Sequence, residues 1–163
     1  MREWVVAGGL VEGPGGLLLV RNRRAGGRFD WTPPGGVVEV GDGESVVDGL
    51  TREVQEETGI LVTEWAGPVY EVTAEAAGMG WRLRAEVHVA VRYEGDVAVA
   101  DPDGIVVDAG FFPLEACAER LAGCDPWVRE PLGQWLAERW VPPRAFAYRV
   151  DGDRRDALRV VRL

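Results

Sequence analysis

Three glutamates, Glu53, Glu56 and Glu57, lie within five consecutive residues of the chain. On a helix, spacings of three and four residues place them beside one another, where their like charges repel. Carboxylate oxygens grouped in this way suit Mg²⁺ or Mn²⁺, which bind a few carboxylates together with waters and substrate phosphates. Residue type and spacing therefore predict a divalent-metal site on one helix.

The helix that must hold these acids is predicted from Val46 to Thr58. Ser45 is a favourable N-cap, and Gly59 is favourable after the last turn because glycine readily adopts a positive φ. At 100° per residue, the apolar stripe consists of Val46, Val47, Leu50 and Val54. Glu57 falls within this stripe, and the other two glutamates fall on its edge. Because an unpaired buried carboxylate costs several kcal/mol, a bound cation is favoured over the alternative, a solvated run of acids.

Around this helix the sequence resembles the Nudix box, G-x5-E-x7-R-E-U-x-E-E-x-G-U, where U is apolar. The matching residues are Glu44, Arg52, Glu53, Val54, Glu56, Glu57, Gly59 and Ile60. The leading glycine is displaced, because Val38 stands at its position. A two-residue insertion near Asp42-Gly43 would give its role to Gly36, so that the box spans about residues 36–60. The segments 31–36 (Trp-Thr-Pro-Pro-Gly-Gly) and 111–115 also resemble family features.

The resemblance implies a hydrolase that cleaves the pyrophosphate linkage of a nucleoside diphosphate joined to another moiety. It implies Mg²⁺ as cofactor, with Mn²⁺ as a substitute. The implied metal residues are Gly36, Glu53, Glu56 and Glu57, with Glu44 and Arg52 in support. Family members often recruit another acid from outside the box, and Asp103 and Asp108 are the candidates. An ordinary acid in a turn or at a strand edge is the alternative for both.

Four arginines precede the glycine turn, and arginine suits bidentate contact with phosphate. They are Arg21, Arg23, Arg24 and Arg28. Surface solvation is the alternative for each. Trp31 could stack on a nucleobase, or it could fill the core at the edge of a sheet. We expect the substrate to be a small nucleoside diphosphate derivative.

The net charge of −9, with no lysine, disfavours a nucleic-acid polymer or a membrane surface as partner. We expect no signal peptide and no membrane span, because the chain opens on a strand pattern and no apolar run approaches about 20 residues. Cys117 and Cys124 lack metal-binding spacing and are expected to be reduced thiols in the cytoplasm. His88, the only histidine, lies in a strand-like run, where a structural role is favoured over catalysis.

The remaining pattern predicts one domain over residues 1–163, of class α/β or α+β. Strands are expected at 4–11, 17–23, 62–74, 81–93 and 105–112, helices at 114–121 and 127–140, and a loop at 24–44. The tail at about 145–163 is predicted to form a hairpin. The resemblance implies a Nudix-type α/β/α sandwich with a mixed β-sheet, and homodimers are common among relatives.

Two other functions are open at this point. Some Nudix-like domains bind nucleotides or metabolites as sensors and do not hydrolyse them; these usually have eroded box acids, whereas none is missing here. A structural domain with a solvated acidic helix would explain the glutamates without a metal.

Overall fold

The computed structural model describes the backbone of all 163 residues and every side chain except that of Val40. The strands are β1 (Arg2–Leu10), β2 (Glu12–Gly13), β3 (Gly16–Arg23), β4 (Phe29–Thr32), β5 (Gly35–Val37), β6 (Leu61–Ala76), β7 (Trp81–Glu94), β8 (Val106–Phe112), β9 (Arg144–Asp151) and β10 (Arg159–Arg162). The helices are α1 (Val46–Thr58), α2 (Leu114–Leu121) and α3 (Pro126–Glu138).

The larger sheet is mixed and has six strands in the order β10-β9-β6-β7-β1-β5. β1 runs parallel to β7, and β6 runs parallel to β9. The other neighbours are antiparallel, including the long β6–β7 pair that the alternating sequence predicted. In the smaller sheet, β3 pairs with β2, β4 and β8. The predicted α+β class with a mixed sheet is confirmed.

Hydrophobic packing covers both faces of the larger sheet, because successive side chains of a strand point to opposite faces. On one face, Leu50 and Val54 of α1 are fully buried against Val62 and its neighbours. On the other face, a larger cluster joins β6 and β9 to α2 and α3 through Val72, Leu132 and Trp135. The chain therefore places α1 on one side of the sheet and α3 on the other.

Two expectations from the sequence are wrong. Residues 24–44 were expected to form only a loop, but they contain β4 and β5, which are short and therefore give little periodic signal. Val47 was expected in the buried stripe of α1, but it is 37% exposed. In this first turn of the helix, Val46 packs against the core, and the next side chain, Val47, faces solvent.

The remaining elements follow the sequence pattern closely. β9 and β10 form the antiparallel tail pair, while the extent of a single domain over 1–163 stays a prediction. Cys117 and Cys124 are buried free thiols, and His88 is buried in β7. In the described part of the chain, no helix has both the length and the apolarity needed to cross a bilayer.

Candidate active site

Helix α1 has the predicted ends, which set the direction in which its acids point. The Ser45 hydroxyl accepts a hydrogen bond of 3.1 Å from the backbone N–H of Asp48, a side-chain N-cap. Gly59 ends the helix in the left-handed region, and its N–H donates to the carbonyl of Gln55. Between these caps, Glu57 is buried, whereas Glu53 and Glu56 are half-buried. The acids therefore lie along the edge of the buried face.

Arg52 joins three acids into one network. Its Nε and Nη2 donate to the two carboxylate oxygens of Glu44, at 3.0 and 3.1 Å, in a bidentate fork. Its Nη1 donates to Glu53 at 3.1 Å and to Glu56 at 3.4 Å. The hydrogen bond from Arg52 lowers the pKa of Glu44, and the same bond raises the pKa of the guanidinium. Arg52 thus contacts Glu44, Glu53 and Glu56 at once and orients their carboxylates.

Glu57 is a carboxyl group that its surroundings leave without a compensating cation. It is 7% exposed, and burial raises its pKa to about 8, although the backbone N–H of Gly35 donates to it at 3.1 Å. Burial also raises the pKa of Glu53, which Arg52 offsets in part. Removing a carboxylate from water disfavours its charged form. A cation bound at this place would favour the ionised forms of Glu53 and Glu57.

The glycine turn of β5 brings backbone close to these acids. Gly35 has φ of +150°, and a Cβ there would overlap the carbonyl oxygen of Ala7 on the neighbouring strand. At Gly36 a Cβ would lie 3.3 Å from the carboxyl carbon of Glu53. Glycine at position 35 therefore lets β5 lie against β1, and glycine at position 36 lets β5 approach Glu53 of α1.

The chemistry of this group fits a hard divalent cation. Among the side chains that the structure describes, no three His, Cys, Asp or Glu residues already converge on one point as metal ligands. Glu53 and Glu56 instead contact Arg52, and Glu57 contacts Gly35. The donors are nevertheless carboxylates, which Mg²⁺ and Mn²⁺ prefer, and burial raises the pKa values of Glu53 and Glu57.

A cavity of about 530 Å³ opens beside these acids on the α3 side of the sheet. Apolar side chains from β6 and β7, including Val72 and Leu83, form one wall, and Trp127 and Val128 of α3 belong to another. Glu53, Glu57, Asp101 and Asp103 line its acidic end. A shallower groove of about 620 Å³ continues from this end along Glu44, Asp48 and Arg52. Volume and lining are those of a small-molecule site.

A family model described as NUDIX domain matches residues 2–136. The chain belongs to the Nudix family. Its members share pyrophosphate hydrolysis as their general activity, and the prediction of an enzyme of this kind is confirmed. No curated protein matches the sequence significantly.

Solved structures agree with this membership. The MutT NUDIX hydrolase from Burkholderia pseudomallei is 29% identical over 71% of this chain and 86% of that one, with a TM-score of 0.60. The E. coli ORF135 protein is 23% identical over 85% of this chain and 94% of its own, with a TM-score of 0.67. The MutT protein from Methanosarcina mazei Go1 is 23% identical over 86% and 97%, also with a TM-score of 0.67. The last two likenesses show the shared Nudix fold.

The predicted two-residue insertion in the Nudix box falls in a surface turn. The backbone at Val40–Asp42 forms a short 3-10 turn, followed by Gly43 with φ of +78°. Beyond this turn, Glu44 forms its bidentate pair with Arg52. The path of this loop is therefore compatible with the ion pair between Glu44 and the helix.

The acids outside the Nudix box differ in whether they line the cavity. Asp103 lines both the cavity and the groove, and its charge raises the pKa of Glu53. Asp108 lies exposed on β8, accepts a hydrogen bond from the N–H of Ala109, and lines neither. Asp101 was not considered from the sequence, but it lines the cavity and accepts from three backbone N–H groups of its loop. Geometry favours Asp103 over Asp108.

The predicted substrate arginines lie mostly away from the cavity. Arg21 stacks over Phe29 at 4.3 Å, and Arg23 is exposed. Arg28 contacts Asp30 at 3.5 Å. Neither cavity nor groove is lined by these three arginines, whereas Arg24 lines the cavity. Their role in substrate binding stays a prediction.

Trp31 packs edge-on against Phe112, with ring centroids 5.0 Å apart, and Arg120 lies over its ring. It does not line the cavity. The aromatic residues that line the cavity include Trp127 and Tyr70; from the sequence, Trp127 was assigned only to a helix. Asn22 and Asp125 were also missed. The one signal was the Asp125-Pro126 pair, which is typical of a helix start.

Proposed function

We propose that this Nudix enzyme is a Mg²⁺-dependent hydrolase of a nucleoside diphosphate linked to another moiety, such as a nucleoside triphosphate, a nucleotide sugar or ADP-ribose. The proposal rests on the position of the acids at one end of the apolar cavity. The apolar cavity, which suits a nucleoside, ends at Glu53 and Glu57. A pyrophosphate attached to a nucleoside in the cavity would therefore lie beside the acids.

The roles of the residues follow from this placement. Glu53, Glu56 and Glu57 would hold the metal, with backbone at Gly36 next to Glu53. Bound Mg²⁺ would offset the negative charge of the phosphates and lower the pKa of a bound water. Arg52 keeps Glu53 and Glu56 oriented, and Glu44 anchors Arg52 from the other side. Asp103 lies close enough to Glu53 to raise its pKa and is the best-placed acid outside the Nudix box.

One of the three glutamates would also accept a proton from the attacking water. Burial raises the pKa of Glu57 to about 8, and a cation held by its carboxylate would lower this pKa and keep the group ionised. Of the three glutamates, Glu57 is also the most buried, which keeps bulk water away from the reaction.

The test is a panel of substrates, each assayed with Mg²⁺ and with chelator. It contains nucleoside triphosphates, ADP-ribose, NADH and dinucleoside polyphosphates. We expect turnover of at least one, lost on chelation, and a fall of a hundredfold or more in Glu56→Gln and Glu57→Gln. The matched control is Glu119→Gln, an exposed acid of α2, which should retain wild-type rates. Turnover that is unaffected by chelator, or full activity in both active-site variants, contradicts the proposal.

We further propose a cytoplasmic enzyme whose partners are small molecules. The two buried thiols suit a reducing compartment. Mn²⁺ is expected to replace Mg²⁺, since both prefer oxygen ligands. Size-exclusion chromatography with light scattering would test the homodimer that the family resemblance implies.

A further inference from the structure

The connection between β7 and β8 runs beside the acidic end of the cavity and is tied to two parts of the fold. Near its start, the backbone N–H of Ala98 donates to the carbonyl of Thr58 at the end of α1. At its end, the carbonyl of Ile105 accepts a hydrogen bond of 2.8 Å from the N–H of Arg23 in β3. Between these two points, the backbone is organised by Asp101, which lines the cavity.

Asp101 accepts hydrogen bonds from the backbone of four successive residues. Its Oδ1 accepts from the N–H of Asp103 at 3.2 Å. Its Oδ2 accepts from the N–H of Ile105 at 3.0 Å and of Val106 at 2.9 Å. The N–H of Gly104 donates to the main-chain carbonyl of Asp101 at 3.1 Å. One residue therefore holds the whole turn that leads into β8.

This turn, which we call the Asp101 turn (residues 101–106), needs a carboxylate at its first position. A carboxylate has two oxygens that only accept, so it can serve three N–H groups at once. An asparagine would offer one oxygen and would turn its NH2 group toward the remaining donors, while a hydroxyl group has a single oxygen. Either replacement would leave N–H groups of the turn unpaired.

The Asp101 turn sets the position of Asp103. Asp103 lines both the cavity and the groove, and besides burial its negative charge raises the pKa of Glu53. Besides burial, the charge of Asp101 likewise contributes to the raised pKa of Glu57. Because like charges repel, the Asp103 carboxylate would move away from Glu53 if the turn did not fix its backbone.

We propose that Asp101 is a positioning residue of the active site, which acts by holding the carboxylate of Asp103 beside Glu53. The inference rests on the proposed function, because Asp103 would there add an oxygen donor next to the glutamates that would bind a divalent cation. The Asp101 carboxylate is itself engaged with backbone N–H groups. It therefore changes metal binding and turnover only through the group that it orients.

The first test is a double-mutant cycle on the binding of Mn²⁺ alone, measured by electron paramagnetic resonance. We expect Asp101→Asn and Asp103→Asn each to raise the Kd about tenfold, and the double variant to bind no more weakly than Asp103→Asn. Asp96→Asn removes the same charge from an exposed position of the same connection and should leave the Kd unchanged, because exposed charges are screened. An additive loss of about a hundredfold in the double variant would overturn the inference.

The second test is Gly104→Ala, which disturbs the turn without removing a charge. Gly104 has φ of +68° and a Cβ there would meet open space, so the cost is confined to the left-handed backbone. We expect the Kd for Mn²⁺ to rise and kcat on the best substrate of the panel to fall, each about threefold to tenfold, with no such effect in the Asp103→Asn background. Gly80→Ala is the matched control, because Gly80 has φ of +72° and open space in the β6–β7 turn. This variant decides the inference if Asp101→Asn does not fold.

The outcomes separate the positioning role from the proposed function. If Asp101→Asn and Gly104→Ala lower only the Tm, with wild-type Kd and kcat, Asp101 serves stability alone and the inference is refuted while the hydrolase stands. If no substrate of the panel is hydrolysed, the proposed function fails, and the Mn²⁺ cycle still decides whether Asp101 acts through Asp103.

Discussion

Glu57→Gln is expected to stabilise the metal-free protein at alkaline pH. The glutamine has nearly the same size, and its Oε1 can still accept the hydrogen bond from Gly35 N–H, 3.1 Å away in the wild type. The substitution therefore isolates the cost of keeping a carboxylate at a position that is only 7% exposed.

The expected size follows from the pKa of Glu57. Burial raises it to about 8 from an ordinary 4.5. The folded protein thus binds this proton more tightly than the unfolded chain does. The resulting stability is complete below pH 4.5 and is lost as pH rises through about 8. At 1.36 kcal/mol per pH unit, the full loss is roughly 5 kcal/mol. For a chain of this length that corresponds to a Tm difference of about 10–20 °C.

The assay is thermal unfolding by circular dichroism in excess EDTA, from pH 5 to pH 8.5. Wild type and Glu57→Gln should melt within a few degrees of each other at pH 5, and the variant should melt higher at pH 8.5. Glu119→Gln should follow the wild type throughout. Adding Mg²⁺ at pH 8.5 should raise the wild-type Tm more than that of Glu57→Gln. If wild type and variant change in parallel with pH, the burial argument is refuted.

Three other predictions test the surroundings of the site. Arg52→Lys keeps the charge but loses the bidentate pair with Glu44, so kcat should fall about tenfold to a hundredfold while the Tm changes little. An unchanged kcat would contradict the orienting role of Arg52. Gly35→Ala should destabilise the protein by about 2 kcal/mol or more in urea unfolding, because a Cβ at this position would overlap the backbone of β1. The control is Gly41→Ala, which has open space around it and should leave the stability unchanged. Burial lowers the pKa of His88, so the stability that is present above pH 6.5 should decline as the pH falls below this value. The His88→Gln variant should show a smaller decline in urea titrations. A decline of the same size in the variant would assign it to other groups.

The sequence predicted helix α1 closely because its determinants are local. Ser45 and Gly59 set the ends of α1, and the 3.6-residue period placed Glu57 in the buried arc. It also predicted the long β6–β7 pair, whose alternation is strong over many residues. β4 and β5 escaped prediction because three or four residues carry too little periodicity, and they lie in a Gly/Pro-rich segment that indicates turns.

The residues of the cavity were harder to predict, since they come from distant parts of the chain. Asn22, Asp101 and Asp125 are ordinary polar residues in their local sequence. Trp31, which stands beside the glycine turn, packs on Phe112, while Trp127, far along the chain, lines the cavity. Proximity in sequence to the Nudix box was therefore a poor guide to proximity in space.

The sequence by itself determined the family, the acids expected to bind the metal and the kind of reaction, because these depend on residue types at fixed spacing along one helix. Only the tertiary structure decided which groups line the cavity beside them. Arg52 could have been an exposed side chain, and Asp103 an ordinary turn acid, until folding brought them to Glu53. Hydrogen-bond orientation at Asn22 likewise depends on Asp30, which is eight residues away in sequence but adjacent across the β3–β4 pair.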